Sequence, residues 1–342
     1  MTAAMAETKK ILLAHGGGGQ LADELIRKTI LARLGEKRPE GLEDSAKINL
    51  SSKSICFTTD SYVVKPLFFN GGDIGKLAVC GTLNDLAVAG AIPVALSLSF
   101  IIETGLEIDI LEKIIDSIAK TARQNNVHIV TGDTKTVDAG QADKIFINTA
   151  GIGIRLKTAD LGFDKIKPGD KIILSGSIGD HGITILSERQ DIKFQTTLKS
   201  DCAAVSGLTS KILTGTTGVR FMRDPTRGGL AATLNEICRQ TGLDIEIKQS
   251  QIPVKPAVQA AADMLGFDVL EIANEGKFVA VVSPACAEKV LRICKKHPLG
   301  KKAKIIGQIT GASDTPLVEM ETIIGGRRIV QMPYGRELPR IC

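Results

Sequence analysis

The sequence contains no tryptophan, and aromatic residues make up only 4% of its 342 positions. Proteins that bind single-stranded nucleic acids stack bases on aromatic side chains, and two tyrosines and ten phenylalanines provide few such platforms. Charge of one sign is not concentrated either, because 43 Lys and Arg residues against 38 Asp and Glu residues give a formal net charge of +5. We therefore expect no nucleic-acid partner.

Long apolar runs are also missing. The longest uncharged stretch, residues 86–102, is interrupted by Gly90 and Pro93, and it is shorter than the roughly 20 apolar residues of a membrane-spanning helix. The apolar segment at residues 11–14 is too short for the hydrophobic region of a signal peptide. The sequence therefore predicts a cytoplasmic protein without a membrane partner.

No pair of cysteines has the CxxC spacing of a structural zinc site. The odd number of cysteines, seven, is typical of reduced thiols in a cytosolic protein. Cys342 differs from the others because it is the last residue, after a segment that is rich in glycine and proline. A terminal thiol on such a segment can reach an active site or be modified by another protein, although a chance terminal cysteine is the simpler explanation.

Predicted helices alternate with predicted strands, which is typical of an α/β (α+β) protein. We expect strands at 54–59, 94–102, 127–131 and 145–154, and helices at 73–90, with Asp73 as N-cap, and at 107–125. Gly162, Pro168 and Gly169 indicate a link between two domains. The predicted divisions are a glycine-rich loop and helix at 1–40, an N-terminal domain at 41–155, a C-terminal α/β domain at 156–325 and a flexible tail at 326–342.

Aspartates occur at the ends of several predicted elements. Asp60 closes one strand, Asp133 follows another, and Asp44 precedes an apolar segment. Asp85 falls on the small, apolar face of its helix, where a carboxylate requires a cation or hydrogen bonds. Converging carboxylates without nearby histidines suit Mg²⁺ and a nucleotide better than zinc, whereas turns and helix caps explain the same residues taken singly.

Three further segments have both a chemical and a structural interpretation. Glycines 16–19 can cradle a phosphate or form a linker. Lys135, close to Asp133, can neutralise phosphate, act as a base or be solvated. The segment 223–229, which opens a helix, can bind an anion or only cap that helix. Glu275 is a turn carboxylate on spacing alone.

Seven motifs carry a resemblance to a known family. They are HGGGGQL, TTDSYVVKPLFFNGGDIGKLAVCGTLNDLAVAGAIP, VTGDTKTV, INTAGIG, MRDPTRGGLAATLNEI, NEGK and the terminal PRIC. Together they resemble the hydrogenase maturation factor HypE family, over about residues 11–342. That family lies within the superfamily of aminoimidazole ribonucleotide synthetase, selenophosphate synthetase and thiamine-monophosphate kinase.

The resemblance implies a two-domain aminoimidazole ribonucleotide synthetase-like fold with a flexible C-terminal tail, in which domain 41–155 binds ATP and forms a homodimer. It also implies ATP-dependent carbamoyl dehydratase chemistry. The carbamoyltransferase HypF would place a carbamoyl group on Cys342, which would then be dehydrated to a thiocyanate. The cyanide would pass to the HypC–HypD complex, toward the iron of [NiFe] hydrogenase.

The resemblance further implies roles for particular residues. The catalytic residues would be Cys342, Lys135 and Glu275. Residues contacting the nucleotide would be Gly17, Gly18, Gly19 and Asn84. The Mg²⁺ that accompanies ATP would be held by Asp44, Asp60, Asp85 and Asp133. The alternatives are another ATP-using enzyme of the superfamily, or a non-catalytic scaffold that docks maturation partners. Selenophosphate synthetase would require a reactive residue near the glycine loop, where this chain has His15.

Overall fold

We analysed a computed structural model, which describes residues 10–16, 24–35, 48, 50–51, 54–189 and 198–333. The N-terminal domain is built on a four-stranded sheet in the order β1-β6-β4-β5. Strand β6 runs antiparallel to both β1 and β4, while β4 and β5 are parallel. Strands β2 and β3 form a separate two-stranded ribbon. The strands are β1 Ile55–Tyr62, β2 Phe68–Phe69, β3 Gly72–Asp73, β4 Ala91–Glu103, β5 His128–Val137 and β6 Ile145–Arg155.

Two long helices, α1 (Ile74–Val88) and α2 (Ile108–Gln124), belong to this domain. Helix α1 begins where it does because the Asp73 side chain accepts hydrogen bonds from the backbone N–H groups of Gly75 and Lys76, at 2.8 and 3.0 Å. Helix α2 is amphipathic, and its isoleucines join α1 in one apolar core. A π-helical segment, Leu25–Leu31, continues as a short helix, Ala32–Leu34, and Leu13–Gly16 forms a 3₁₀ turn.

The C-terminal domain is built on a seven-stranded sheet in the order β13-β12-β9-β11-β7-β10-β8. Its strands are β7 Lys171–Leu174, β8 Val219–Arg223, β9 Leu243–Lys248, β10 Val279–Val282, β11 Lys304–Ala312, β12 Val318–Glu321 and β13 Arg327–Ile329. Its helices are α3 Asp180–Arg189, α4 Ser206–Gly215, α5 Gly229–Thr241, α6 Pro256–Leu265 and α7 Pro284–Lys295.

Alternating side chains along β10 enter two different cores. Val279 and Val281 pack in the core that contains helix α5, whereas Ala280 and Val282 pack with α4 and α7. This period of two follows from the pleat of a strand that is covered on both faces. The N-terminal core is shared as well, since it includes Cys202 and Ala273 of the C-terminal domain. Helix α1 is consequently buried between the two domains.

The α/β class and the two-domain arrangement are confirmed, as are helix α1 and its Asp73 cap. Strand β5 is longer than predicted, because its parallel pairing with β4 continues to Val137. Asp133 and Lys135 therefore lie within a strand and not in the loop after it. Strand β13 falls inside the range predicted as tail, where it pairs antiparallel with β12 at the sheet edge. In the part of the chain that is described, no helix has the length and apolar character to cross a membrane.

Candidate active site at the domain junction

Asp60 on β1 and Asp85 on α1 lie close together on the inner side of the N-terminal sheet. Asp85, near the end of α1, accepts a hydrogen bond from the Thr58 hydroxyl at 2.8 Å. Thr58 and Asp60 are two residues apart on β1, so both lie on the face that α1 covers. Burial raises the pKa of the Asp85 carboxyl, more than the Thr58 hydrogen bond lowers it, and the nearby Asp60 raises it further. These two predicted site residues are brought together.

A third carboxylate, Asp224, joins them from the C-terminal domain. It follows β8 and precedes α5, and burial together with the charge of Asp85 raises its pKa to about 7. The sequence pattern of segment 223–229 indicates an anion site or a helix cap, and it does not single out Asp224 as a site carboxylate. The signal was an aspartate directly after a strand, the same pattern that identified Asp60.

Glu275 lies nearby and is buried, with 3% of its surface exposed. Burial raises the pKa of its carboxyl well above the usual range, and the charges of Asp224, Asp201 and Asp60 raise it further. The buried phenol of Tyr62 shares this environment, since burial raises its pKa and Asp60 and Glu275 add to the effect. Glu275, a turn carboxylate on spacing alone and a catalytic residue by the family resemblance, is thus a buried carboxyl with a raised pKa near Asp224, Asp201 and Asp60.

Asn84, the residue before Asp85, joins the two domains. Its amide nitrogen donates to the backbone oxygens of Glu275 and Ala203, at 2.7 and 3.1 Å, and its amide oxygen accepts from the N–H of Val205 at 2.8 Å. Both amide hydrogens are therefore used within the protein. The predicted contact of Asn84 with the nucleotide is not tested by this arrangement and stays a prediction.

Asp133 lies on the opposite side of the N-terminal sheet from Asp60. Asp133 on β5 pairs with Ser99 on β4, Ser99 pairs with Asn148 on β6, and Asn148 pairs with Ser61 on β1. Side chains that are paired across a sheet in this way point to the same face. Asp60 is one residue from Ser61, and successive side chains of a strand point to opposite faces. The expected convergence of Asp133 with Asp60 and Asp85 therefore does not occur within one chain.

Lys135 shares the outer face with Asp133, two residues away. Its ammonium group is 2.9 Å from the Asp133 carboxylate, and the two side chains are 65% and 58% exposed. The hydrogen bond from Lys135 lowers the pKa of Asp133. Asp44, Gly17, Gly18, Gly19 and Cys342 lie outside the described residues.

A cavity of about 590 Å³ opens beside this junction. A tilted pair of rings, Phe163 and Phe221, forms part of its wall, with ring centroids 4.4 Å apart. Polar lining comes from Cys56, Asp85, Arg155, Arg223 and Asp224. Another concavity, on the C-terminal sheet beside α7, contains none of the predicted site residues.

Among the described residues, no three His, Cys, Asp or Glu side chains form a group that could hold a metal ion. A site with only one or two carboxylates still fits Mg²⁺, because this ion is usually held by one or two carboxylates together with substrate phosphates and water. Asp85 and Asp224 border the cavity, and burial raises the pKa of both carboxyls, with the charge of neighbouring carboxylates adding to the effect. Mg²⁺ bound to a nucleotide would place positive charge beside these two carboxylates.

Comparison with known proteins gives one consistent result. Residues 42–155 match the family described as AIR synthase related protein, N-terminal domain, and residues 167–318 match its C-terminal domain. The carbamoyl dehydratase HypE of Rhizobium leguminosarum bv. viciae is 47% identical over 334 residues, which cover 97% of this chain and 95% of the relative.

Solved structures agree with these sequence matches. The structure of hydrogenase maturation protein HypE in complex with ATP is 42% identical and superposes with a TM-score of 0.92, over 97% of this chain and 99% of that chain. A structure of a HypE–HypF complex is 48% identical, with a TM-score of 0.79 over 83% of this chain and 92% of that chain.

Proposed function

This chain belongs to the carbamoyl dehydratase HypE family of AIR synthase related proteins, and from that membership we propose that it uses ATP to dehydrate a carbamoyl group carried on its own Cys342. The product is a thiocyanate, the source of the cyanide ligands of [NiFe] hydrogenase. The observation that carries the proposal is the buried Glu275 carboxyl near Asp224, Asp201 and Asp60 at the domain junction.

The reaction removes one water molecule from a thiocarbamate in two stages. First, the carbamoyl oxygen attacks the γ-phosphorus of ATP, and the bond to ADP breaks while the nitrogen gives up one proton. This leaves a phosphorylated isothiourea-like group on the sulfur. The second nitrogen proton then leaves, the carbon–oxygen bond breaks with loss of phosphate, and a carbon–nitrogen triple bond forms.

Glu275 is suited to take one of those nitrogen protons. A carboxyl group with a raised pKa is a stronger base when ionised than an ordinary one, and catalytic efficiency is greatest when the pKa is near the working pH. Burial protects the phosphorylated group from water, which would otherwise hydrolyse it. The backbone of Glu275 is hydrogen-bonded to Asn84, so the carboxyl is carried on a fixed turn.

We place the nucleotide in the cavity lined by Arg155 and Arg223. Guanidinium groups bind phosphate through paired hydrogen bonds, and the rings of Phe163 and Phe221 offer an apolar surface. Asp85 and Asp224, which line this cavity, would hold Mg²⁺ together with the nucleotide phosphates, and the role of the metal is to neutralise phosphate charge during phosphoryl transfer. Asp60 stays a predicted ligand of the same ion. Asp44 and the glycines 17–19 remain predicted members of the same site.

A second copy of the chain would complete the site. The outer face of the N-terminal sheet exposes apolar side chains, which is typical of an interaction surface; they are Ile55, Phe57, Ile92 and Ile101. Asp133 and Lys135 lie on that same face. A homodimer formed through it would bury the apolar side chains and bring Asp133 and Lys135 toward the partner's nucleotide, with Lys135 beside its phosphates.

Two further partners follow from the family. The HypE–HypF complex supports HypF as the carbamoyltransferase that loads Cys342. The HypC–HypD complex is the proposed acceptor of the cyanide group. Passing the cyano group to a metal as cyanide while the sulfur leaves as a thiolate consumes two electrons, which an electron-rich metal in the acceptor would supply.

Mass spectrometry of the Cys342 peptide tests the proposed function. The full chain is incubated with the carbamoyltransferase, carbamoyl phosphate and Mg²⁺, with and without ATP. We expect a carbamoyl adduct, and with ATP an adduct lighter by one water. An adduct that never loses water would leave a carbamoyl carrier or scaffold, and Cys342→Ser serves as the matched control because it cannot form the thiocarbamate.

A further inference from the structure

Both hydrogen-bonding groups of the Glu275 backbone are bound by side chains of other segments. Its N–H donates to Asp201 Oδ1 at 3.3 Å, and its carbonyl oxygen accepts from Asn84 Nδ2 at 2.7 Å. Asn84 belongs to helix α1 of the N-terminal domain, whereas Asp201 lies in the segment before α4 of the C-terminal domain. The position of the Glu275 peptide therefore depends on both domains.

Neither of these side chains is able to rotate freely. The remaining bonds of Asn84 run to Ala203 and Val205, as described above. The second oxygen of Asp201 is 2.9 Å from the ammonium group of Lys277, and the two side chains are 5% and 10% exposed. Because every polar end is engaged in a buried bond, each side chain is held in one orientation.

The turn itself is built to approach Asp201 closely. A Cβ atom on Gly276 would collide with the carbonyl oxygen of Asp201, so only glycine fits at this position. On the other side of Glu275, Asn274 donates to the carbonyl oxygen of Pro225 at 2.8 Å and accepts from the N–H of Gly179 at 2.8 Å. The turn is thereby tied to the loop that carries Asp224.

We propose that Asn84 and Asp201 are positioning residues, which hold the Glu275 peptide so that its carboxyl meets the thiocarbamate nitrogen. The inference rests on the proposed function, because it takes Glu275 as the proton acceptor. A base must come within about 2.6–3.2 Å of the atom that carries the proton, and a displacement of about 1 Å costs about 100-fold in rate. Asn84 then acts through the Glu275 backbone, to which its amide nitrogen donates.

Asp201 allows a test with a matched control. Asp170 is also buried, accepts a backbone N–H at 2.9 Å from Lys167, and faces a cation, Arg220, at 3.9 Å. Asp170 comes just before β7, and Glu275 comes shortly before β10. Because β7 and β10 are antiparallel neighbours, the two residues lie at opposite ends of these strands. Asp170→Ala therefore removes a similar buried carboxylate without touching the Glu275 turn.

The measurement is single-turnover conversion of the carbamoylated full chain to the thiocyanate at saturating ATP, together with the ATP affinity and Tm. We expect Asp201→Ala to slow conversion about 10- to 100-fold, while the ATP affinity changes less than about twofold, since ground-state binding is intact. Asp201→Asn keeps an acceptor for the Glu275 N–H and should retain most of the rate. Asp170→Ala should lower Tm without slowing conversion.

Equal slowing by Asp201→Ala and Asp170→Ala would overturn the proposal, because it would show a general loss of stability. The proposal would also be overturned if Asp201→Asn slowed conversion as much as Asp201→Ala. In that case the charge of Asp201, and not its hydrogen bond to the Glu275 N–H, would determine the rate. Asn84→Ser, which cannot reach Glu275, should slow conversion in the same way even if Asp201→Ala fails to fold.

Glu275→Gln separates this inference from the proposed function. Slow conversion by Glu275→Gln with a normal rate in Asp201→Ala would overturn the positioning role alone. A normal rate in Glu275→Gln would remove the role of Glu275 as proton acceptor, and the positioning role with it.

Discussion

At the scale of single residues, Asp224 contributes to the way in which stability depends on pH. Its pKa is raised to about 7 in the folded protein, against about 3.9 in an unfolded chain. Between these values the folded state keeps a proton that the unfolded state has released, so the free energy of unfolding falls as the pH rises. Without nucleotide or Mg²⁺, Asp224→Asn should therefore be more stable than the original chain near pH 7.

The stability gained by Asp224→Asn should shrink as the pH is lowered and should be smallest below about 3.9, the unfolded pKa, where Asp224 is protonated in both states of the original chain. Urea unfolding across this range measures the effect. Asp133→Asn is the control, because the pKa of Asp133 is lowered by Lys135 and its removal should give no gain. A pH-independent difference for Asp224→Asn would contradict the raised pKa.

Asp85 should be needed for nucleotide binding and not for folding. Asn at this position can still accept the hydrogen bond from Thr58, and it removes a charge that is costly to bury. We expect Asp85→Asn to fold with equal or higher Tm but to lose at least about tenfold in affinity for Mg²⁺–ATP, a loss that even outer-shell changes at metal sites produce. Titration calorimetry measures this.

Asp116→Asn provides the control for Asp85→Asn. It makes the same change of charge at an exposed residue on α2, where Asp116 is paired with Arg33. Its ATP affinity should match that of the original chain. Unchanged affinity in a folded Asp85→Asn chain would exclude Asp85 from the nucleotide site.

At the scale of elements, α1 depends on a glycine in its middle. A Cβ atom on Gly81 would collide with the buried hydroxyl of Tyr62, which lies beside Thr82. Gly81→Ala should therefore cost about 1–3 kcal/mol in the free energy of unfolding, as overpacked cores do. This reverses the usual gain from alanine in a helix. Chemical denaturation measures the cost.

Gly207→Ala, in the first turn of α4, is the matched control. The nearest atom to an added Cβ there is Nε2 of His297 at 3.9 Å, which is an ordinary contact. The helical preference of alanine should leave this variant as stable as the original chain or slightly more stable. A similar loss in both variants would indicate that Tyr62 is not the cause.

Element boundaries show what could be predicted from the sequence and what could not. The Asp73 cap and the apolar spacing of α1 and α2 are local features, so the sequence predicted these helices closely. Strand β5 was predicted too short because its second half, TGDTKTV, has no apolar alternation and is held by pairing with β4. Long-range pairing of this kind leaves no local signal.

The same distinction holds for the site. Asp60 and Asp85 were predictable as site residues from local patterns, a carboxylate near the end of an apolar strand and a carboxylate on the small face of a helix, although β1 continues past Asp60 to Tyr62. The opposite placement of Asp133 depends on the register of four strands, in which a shift of one residue reverses every side chain. Asp224 and Asp201 reach the site only through the packing of the second domain.

At the scale of the whole molecule, the placement of Asp133 and Lys135 on the outer sheet face predicts a site shared between two copies. Asp85→Asn and Lys135→Ala chains should each be inactive as homodimers. In a heterodimer of the two, one site combines the intact Asp85 of one chain with the intact Lys135 of the other. The opposite site contains both substitutions.

Mixing equal amounts of the two inactive chains, after subunit exchange, should therefore restore about one quarter of the original dehydratase activity, because half of the random dimers are heterodimers with one complete site each. Two copies that carry the same substitution cannot complement each other, so mixing separately prepared samples of one variant is the control. A mixture that stays inactive although native mass spectrometry detects heterodimers would show that Lys135 serves its own chain. The exposed position of Lys135, across the sheet from Asp60, argues for the shared site, because no side chain on that face can reach the inner carboxylates of the same chain.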